Sequence, residues 1–443
     1  MVSKRDKNRK MGMSRRGFLK AACAAAAGPW IIPGRALGLD GAVAPSNRIT
    51  VGFIGMGRMA RGHLDGFLQD PECQVLAICD VERYRRERQA NRVNEQYAAR
   101  AGSATYTACD TYNDFRDLCA RQDIDVVVIA TPNHWHALHA IEALRSGKDV
   151  YLEKPLARTI EECEAIVAAV RRYNRVLQVG SQQRSDTAFR FACELVRNGR
   201  IGRVREVYAN IGGPPNEDNL PGEPCPEGLD WDMWLGPCPS RPFSSTLCPG
   251  EFVDVWAEWR YYRPYAGGLM TDWGAHHFDI AQWGLGRDGS GPVEIIPDLP
   301  DTPDVKMLTY VYEDGTRLYR GPGPIKDAGV VFVGDEGMVG VNRGQFLVTV
   351  PGRLRYETFG PGEIHLYESA DHRRNFLECV RTRREPICPA EIGASSATVC
   401  HIGNIAYQLK RPLRWDPARR DFVDDPEASR LRARAMRAPW QLT

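Results

Sequence analysis

From Arg48 to about residue 180 the chain alternates apolar runs with amphipathic stretches. Ile49-Thr50-Val51-Gly52-Phe53-Ile54 is the first such run, apolar enough to be covered on both faces. A helical stretch follows to about Gln69, then a second run at residues 74–80 and a strongly charged helix from Glu82 towards Arg100. Residues 125–131 form a third run, closed by Pro132, and residues 150–152 a fourth, closed by Glu153-Lys154-Pro155. Thr159, with Glu162 three positions on, makes a capping box for the next helix, and residues 176–179 form another short run. Strands separated by helices, each strand apolar on both faces, predict a parallel sheet covered on both sides.

After Arg203 the texture changes. Residues 205–211 alternate as a strand does, and residues 212–249 are rich in Pro, Gly and Trp. That connection is expected to be ordered, because Trp231, Trp234 and Phe243 need something to pack against. Residues 305–312 and 329–341 read as half-buried antiparallel strands, and helical periodicity returns at 372–382 and 393–409. No internal repeat is present.

Length and charge narrow the class. The 443 residues carry 58 basic and 56 acidic side chains, a formal net charge of +2, which gives no reason to expect a nucleic-acid partner. The basic residues crowd the start, where Ser14-Arg15-Arg16-Gly17-Phe18-Leu19-Lys20 precedes a small apolar run and a small-x-small site at Ala42-Val43-Ala44. This order resembles a twin-arginine export signal. The expectations are a signal over residues 1–44, the export machinery as partner, a periplasmic destination and no stable membrane span in the mature protein. Cys23 is not expected to mark a lipoprotein, because Lys20 stands where that signal needs an apolar residue. Thirteen cysteines contain no CxxC pair, which argues against structural zinc. Cys73, Cys79, Cys109, Cys119, Cys163 and Cys193 are expected in the core, and Cys225, Cys238 and Cys248 are the candidates for a disulfide.

The chemistry begins where the first strand ends. Gly55-Met56-Gly57-Arg58-Met59-Ala60 is a G-x-G-x-x-A turn between a strand and a helix. Gly55 permits the turn, Gly57 lets backbone approach a pyrophosphate, and the helix N-terminus faces the anion. Asp80 ends the next strand about 25 residues on, placed to accept from ribose hydroxyls and to repel a 2′-phosphate. It favours NAD, while Arg83, Arg85 and Arg86 leave NADP open. Thr131, Asn133 and His136 follow one strand end, Glu153 and Lys154 another and Gln182 a third, all expected beside the same crevice. Gly55, Met56, Gly57, Arg58, Met59, Asp80, Thr131, Asn133, His136, Glu153, Lys154 and Gln182 are therefore the expected cofactor contacts.

With the turn, the Thr131–His136 segment, Glu153-Lys154-Pro155 and Gly267-Gly268-Leu269-Met270-Thr271-Asp272-Trp273-Gly274-Ala275-His276-His277-Phe278-Asp279 in view, the chain resembles the Gfo/Idh/MocA oxidoreductases from Arg48 onwards. Residues 230–237 and 415–417 are similar to an exported branch of that family. The resemblance implies an α/β fold: an N-terminal Rossmann doubly wound parallel sheet over 45–172, then an α+β domain with a large, mostly antiparallel open sheet over 173–443. It implies a catalytic Lys154, Asp272 and His276, and a homo-oligomer. Asp272 and His276, four apart on a helix, would share a face, with His276 as general base and Lys154 stabilising an alkoxide. Arg184, Trp234 and His277 are the candidate substrate contacts, a structural role for His277 being an equal alternative; no metal site is expected.

These residues predict hydride transfer between a nicotinamide cofactor and a secondary hydroxyl of a sugar, polyol or sugar derivative. Export would leave no free dinucleotide pool, so the cofactor is expected to be retained. The alternative is a redox-neutral NAD-dependent glycoside hydrolase, and the third class is a non-catalytic sugar or dinucleotide sensor.

Overall fold

The computed structural model describes residues 44–102, 106–250, 255–300 and 304–442. The expected export signal, apart from its last residue Ala44, and Cys23 lie outside the described residues. The chain divides into two units, residues 1–48 and 49–443. Of the first unit, the described residues contribute a 3-10 turn, Pro45–Asn47.

In the second unit six strands run parallel: β1 (Ile49–Ile54), β2 (Cys73–Cys79), β3 (Asp110–Tyr112), β4 (Val126–Ile129), β5 (Asp149–Leu152) and β6 (Leu177–Val179). Their order, β3-β2-β1-β4-β5-β6, is that of the doubly wound Rossmann sheet. β4 and β5 are buried at every position, the pattern their apolar runs dictate. The order reverses between β1 and β4, which opens a crevice at their carboxyl ends.

Helices α1 (Arg58–Gln69), α2 (Arg83–Ala101), α3 (His136–Arg145) and α4 (Ile160–Tyr173) connect these strands. Only half of the predicted capping box forms at α4. Thr159 accepts from the Glu162 amide, but the Glu162 carboxylate receives Arg158 N–H and Arg434 instead of closing back on Thr159.

The second sheet holds β7 (Val204–Ala209), β8 (Glu294–Ile296), β9 (Thr309–Val311), β10 (Arg317–Arg320), β11 (Val330–Gly334), β12 (Met338–Asn342), β13 (Phe346–Val350), β14 (Leu413–Asp416) and β15 (Asp421–Phe422). It is ordered β13-β12-β11-β7-β10-β9-β8-β14-β15 and is antiparallel except where β7 meets β10. The apolar stretch at 329–341 is a hairpin of two strands, since Glu336-Gly337 break the run. Helices α5 (Thr187–Arg197), α6 (Gly274–Leu285) and α8 (Ala390–Leu409) pack on this sheet through Phe189, Phe278 and Ile402, which sit in one core with Phe332 and Tyr310. Another helix, α7 (His372–Thr382), packs Phe376 and Leu377 against the first sheet instead. Residues 436–442 also return to that sheet, where Trp440 meets Trp135 edge-on at 4.8 Å.

The connection at 212–249 has a core of its own, in which Trp234, Phe243 and Leu247 pack on Tyr265 and Trp231 stacks on Trp234 at 4.6 Å. The six cysteines expected in the core are buried there. The disulfide expectation is corrected: Cys225, Cys238 and Cys248 are free thiols, with Cys238 donating to the Pro264 carbonyl. Among the described residues no helix is long and apolar enough to cross a membrane.

Candidate active site

Backbone geometry at the end of β1 requires glycine. Gly55 has φ +82°, and a Cβ there would lie 2.6 Å from Thr131 Cγ2. Gly57 meets nothing within 4 Å, so space is left beside it. It is also the N-cap of α1 and offers no side chain to the helix amides, which leaves them to an anion. Asp80, 7 % exposed, accepts from Met56 N (2.7 Å) and Glu82 N (2.9 Å). Its carboxylate thus ties the glycine turn to the end of β2 and retains lone pairs for a ribose hydroxyl.

A cleft of about 1040 Å³ opens here. Gly55, Met56, Gly57, Arg58, Asp80 and Thr131 line it, as do Arg85, Asn113, Trp256 and Arg260. Of the three arginines after β2, Arg83 bonds Tyr84 and Glu227 and Arg86 bonds the Asp80 carbonyl and Asn113, so Arg85 alone reaches the cleft wall. The open helix end, the bare Gly57 and the strand-end carboxylate fit a dinucleotide.

The second cluster lies where β5 ends. Lys154 Nζ donates to Asp272 Oδ1 (2.7 Å) and to the Asp272 carbonyl (3.0 Å). Arg260 Nε approaches Asp272 Oδ2 at 3.4 Å and joins this pair to the cleft wall. His276 is 5 % exposed, and among the described residues its ring has no hydrogen-bond partner; Nδ1 is fully buried, which leaves Nε2 to face a ligand. Burial first, then the Lys154 charge, pushes its pKa well below the usual histidine value, so the ring is neutral and can accept a proton. The one-helix premise is corrected. Asp272 ends a short helix, Leu269–Asp272, His276 belongs to α6, and Trp273 separates the two.

Other expected contacts are turned elsewhere. His136 is buried and faces backbone carbonyls with both nitrogens, Pro155 O at 2.8 Å and Thr131 O at 2.9 Å. It fastens two strand-end loops together. Glu153 points inwards to His63 Nε2 (2.8 Å) and receives Gln182 Nε2 (2.9 Å), so neither Glu153 nor Gln182 extends its side chain along the cleft wall. Burial opposes ionisation of Glu153, but the His63 hydrogen bond and charge, with Lys154 and Gln182, outweigh it and hold the carboxyl below its usual range. Met59 and Asn133 also lie off the cleft wall; Asn133 opens the 3-10 turn Asn133–Trp135.

The three candidate substrate contacts are all largely enclosed. Arg184 is 1 % exposed and spends its guanidinium on Asp279 (2.8 and 2.9 Å) and Asp288 (2.7 and 3.0 Å). A side chain so enclosed holds α6 in place. Trp234, 5 % exposed, is stacked on Trp231 and forms part of the cleft wall, leaving no open face as a sugar platform. His277 bonds the Asn210 carbonyl through Nδ1 (3.0 Å) and is buried against Gly329; burial lowers its pKa to about 4, which is the structural alternative. His63, Trp256, Arg260 and Arg343 were not anticipated, because no short motif contains them. Among the described residues no group of three His, Cys, Asp or Glu side chains could hold a metal.

A parallel six-stranded sheet with a glycine turn, an acidic strand end and an open helix terminus defines an NAD-binding Rossmann domain. Residues 49–181 match the family model described as "Oxidoreductase family, NAD-binding Rossmann fold", and residues 215–442 match "Oxidoreductase family, C-terminal alpha/beta domain". The chain belongs to the Gfo/Idh/MocA oxidoreductase family. It is 33 % identical over 159 residues to a 1-carboxy-3-chloro-3,4-dihydroxycyclohexa-1,5-diene dehydrogenase of Comamonas testosteroni, covering 36 % of this chain and 37 % of that one. It is also 33 % identical over 205 residues to a glycosyl hydrolase family 109 protein of Shewanella baltica, covering 43 % and 44 %. The match thus spans less than half the length of either relative. In fold it is similar to an aldose-aldose oxidoreductase of Caulobacter crescentus (19 % identity, TM-score 0.55, 83 % of this chain and 99 % of that one). A scyllo-inositol dehydrogenase of Lactobacillus casei, solved with NAD(H) and scyllo-inositol, gives 17 % identity, TM-score 0.54 and the same coverage.

Proposed function

We propose that this protein oxidises a secondary hydroxyl of a sugar, polyol or sugar derivative with NAD, and that Lys154, Asp272 and His276 are the groups that act on the substrate. The observation that carries the reading is the Lys154–Asp272 pair, 2.7 Å apart, beside an unpartnered neutral His276.

Bound nicotinamide supplies the hydride acceptor. His276 Nε2 receives the hydroxyl proton as the carbinol C–H bond breaks. The Lys154 ammonium, held by Asp272, faces the oxygen on which negative charge develops, where a preorganised cation in a water-poor corner is most effective. Asp272 sets the direction of Lys154 and, with Arg260, closes the corner. His136 positions Lys154 through the Pro155 carbonyl.

The likeness to a glycosyl hydrolase family 109 protein supports a second reading, in which the hydride is returned and a glycosidic bond is cleaved without net redox change. Residues 1–44 favour export by the twin-arginine route with cofactor already loaded; this would suit a cycle that restores its cofactor. Incubation with free sugars and with aryl glycosides separates the readings. Accumulating reduced nicotinamide with a free sugar supports the dehydrogenase, and aglycone release without it supports the hydrolase. Binding of sugar with neither outcome removes the enzyme reading.

A further inference from the structure

Charge at the reacting corner is unbalanced. Lys154 is neutralised by Asp272, but Arg260 and Arg343 add two more cations. Glu153 adds a second negative charge, felt by Lys154 and Arg343, but its oxygens are bonded to His63 and Gln182 and it pairs with neither arginine, so three cations face two carboxylates. The Arg260 side chain makes no hydrogen bond among the described residues: its Nε lies 3.4 Å from Asp272 Oδ2, on the carboxylate whose other oxygen Lys154 holds, and its guanidinium lies over the Trp256 ring at 5.2 Å. Arg343 follows β12, at the start of the tight turn to β13, and its guanidinium lies 4.8 Å over Trp273. It is exposed and, among the described residues, has neither an ion pair nor a side-chain hydrogen bond. Trp273 in turn lies 6.0 Å from the His276 ring, so this free fork stands at the edge of the same corner. The Arg343 charge also contributes to lowering the His276 pKa, after burial and Lys154. The imbalance grows when an oxidised nicotinamide, itself cationic, is bound.

We propose that the substrate is an anionic sugar, carrying a carboxylate or a phosphate ester, and that Arg343 with Arg260 binds that group while the hydroxyl to be oxidised meets Lys154 and His276. This rests on the oxidoreductase reading above. A planar guanidinium without a protein partner is suited to two parallel hydrogen bonds with either anion, and the aromatic ring beneath Arg343 holds it ready for them.

The test compares glucuronate and gluconate, glucose 6-phosphate, and neutral glucose, with the NAD-loaded protein. Binding is measured by calorimetry and reduced nicotinamide by absorbance, in wild type, Arg343→Gln and Arg343→Lys. The expected result is tighter binding of an acid or a phosphate than of glucose by about 10- to 100-fold, lost in Arg343→Gln and partly kept in Arg343→Lys. Preference for the carboxylates or for the phosphate names the source of the anion. Equal binding of glucose, or discrimination untouched in Arg343→Gln, overturns the inference while leaving the oxidoreductase reading intact. Selective anion binding that depends on Arg343 but yields no reduction with any sugar supports the anion site and counts against the redox reading.

Discussion

Lys154 Nζ and Asp272 Oδ1 lie 2.7 Å apart although 118 positions separate them in the chain. The lysine leaves the end of a Rossmann strand, the aspartate ends a short helix of the second half, and each is half-enclosed. Removing the ammonium costs the cation at the oxygen where charge develops, but Arg260 still faces the Asp272 carboxylate. Lys154→Met is therefore expected to fold and to bind NAD, with kcat reduced about 10²- to 10³-fold. Parallel calorimetry and steady-state kinetics check both parts.

His276 works as a base only when neutral. Its pKa lies well below the usual 6.5 through burial and Lys154, so the acid limb of kcat/KM is expected well below pH 6.5, with no loss between 7 and 6.5. His276→Ala should lower kcat about 10²- to 10⁴-fold. An acid limb at the ordinary histidine value in the wild type would remove His276 from this role.

Asp80 serves both the glycine turn, through Met56 N, and the ribose. Asp80→Ser is expected to weaken NAD about 10- to 100-fold and to weaken NADP less, because the repulsion towards a 2′-phosphate goes and Arg85 stays on the cleft wall. Titration with the two dinucleotides measures the shift.

Arg184 was expected at the substrate and is found in the interior. Arg184→Gln leaves Asp279 and Asp288 without their cation, and Asp279 is fully buried. Breaking such a pair costs about 3–5 kcal/mol. Denaturant unfolding should register that loss. A stable variant with impaired sugar affinity would restore the substrate role.

Buried neutral histidines set the acid stability. Burial depresses His134 and His401 to about 3 and His277 and His372 to about 4, against 6.5 unfolded. Between those values the unfolded chain binds more protons than the folded one. Their stabilising contribution is therefore complete above pH 6.5 and is lost as pH falls, by about 2 kcal/mol per histidine at pH 5. Melting temperature should stay level from pH 7.5 to about 6.5 and fall from there to pH 5. A flat profile would contradict the assignment.

The strands and the glycine turn were legible because their signals are local: apolar runs that need cover on both faces, and a φ of +82° only glycine adopts readily at Gly55. The same logic predicts which segments follow the strand ends but cannot say which way their side chains turn. His136 and Arg184 follow strand ends, yet their side chains turn towards carbonyls and carboxylates that arrive from other segments. Arg260 and Arg343 illustrate the converse. Their place at the site depends on a long connection and on a hairpin of the second sheet, neither of which short-range pattern can position.

The most direct test of the account is rapid mixing of the NAD-loaded protein with a panel of polyols, neutral sugars and sugar acids, followed at the absorbance of reduced nicotinamide. The account predicts an absorbance rise with at least one member of the panel within a single turnover, slowed about 100-fold or more in His276→Ala and Lys154→Met. No rise with any member in protein shown to hold NAD, or an equal rise in both variants, would contradict it.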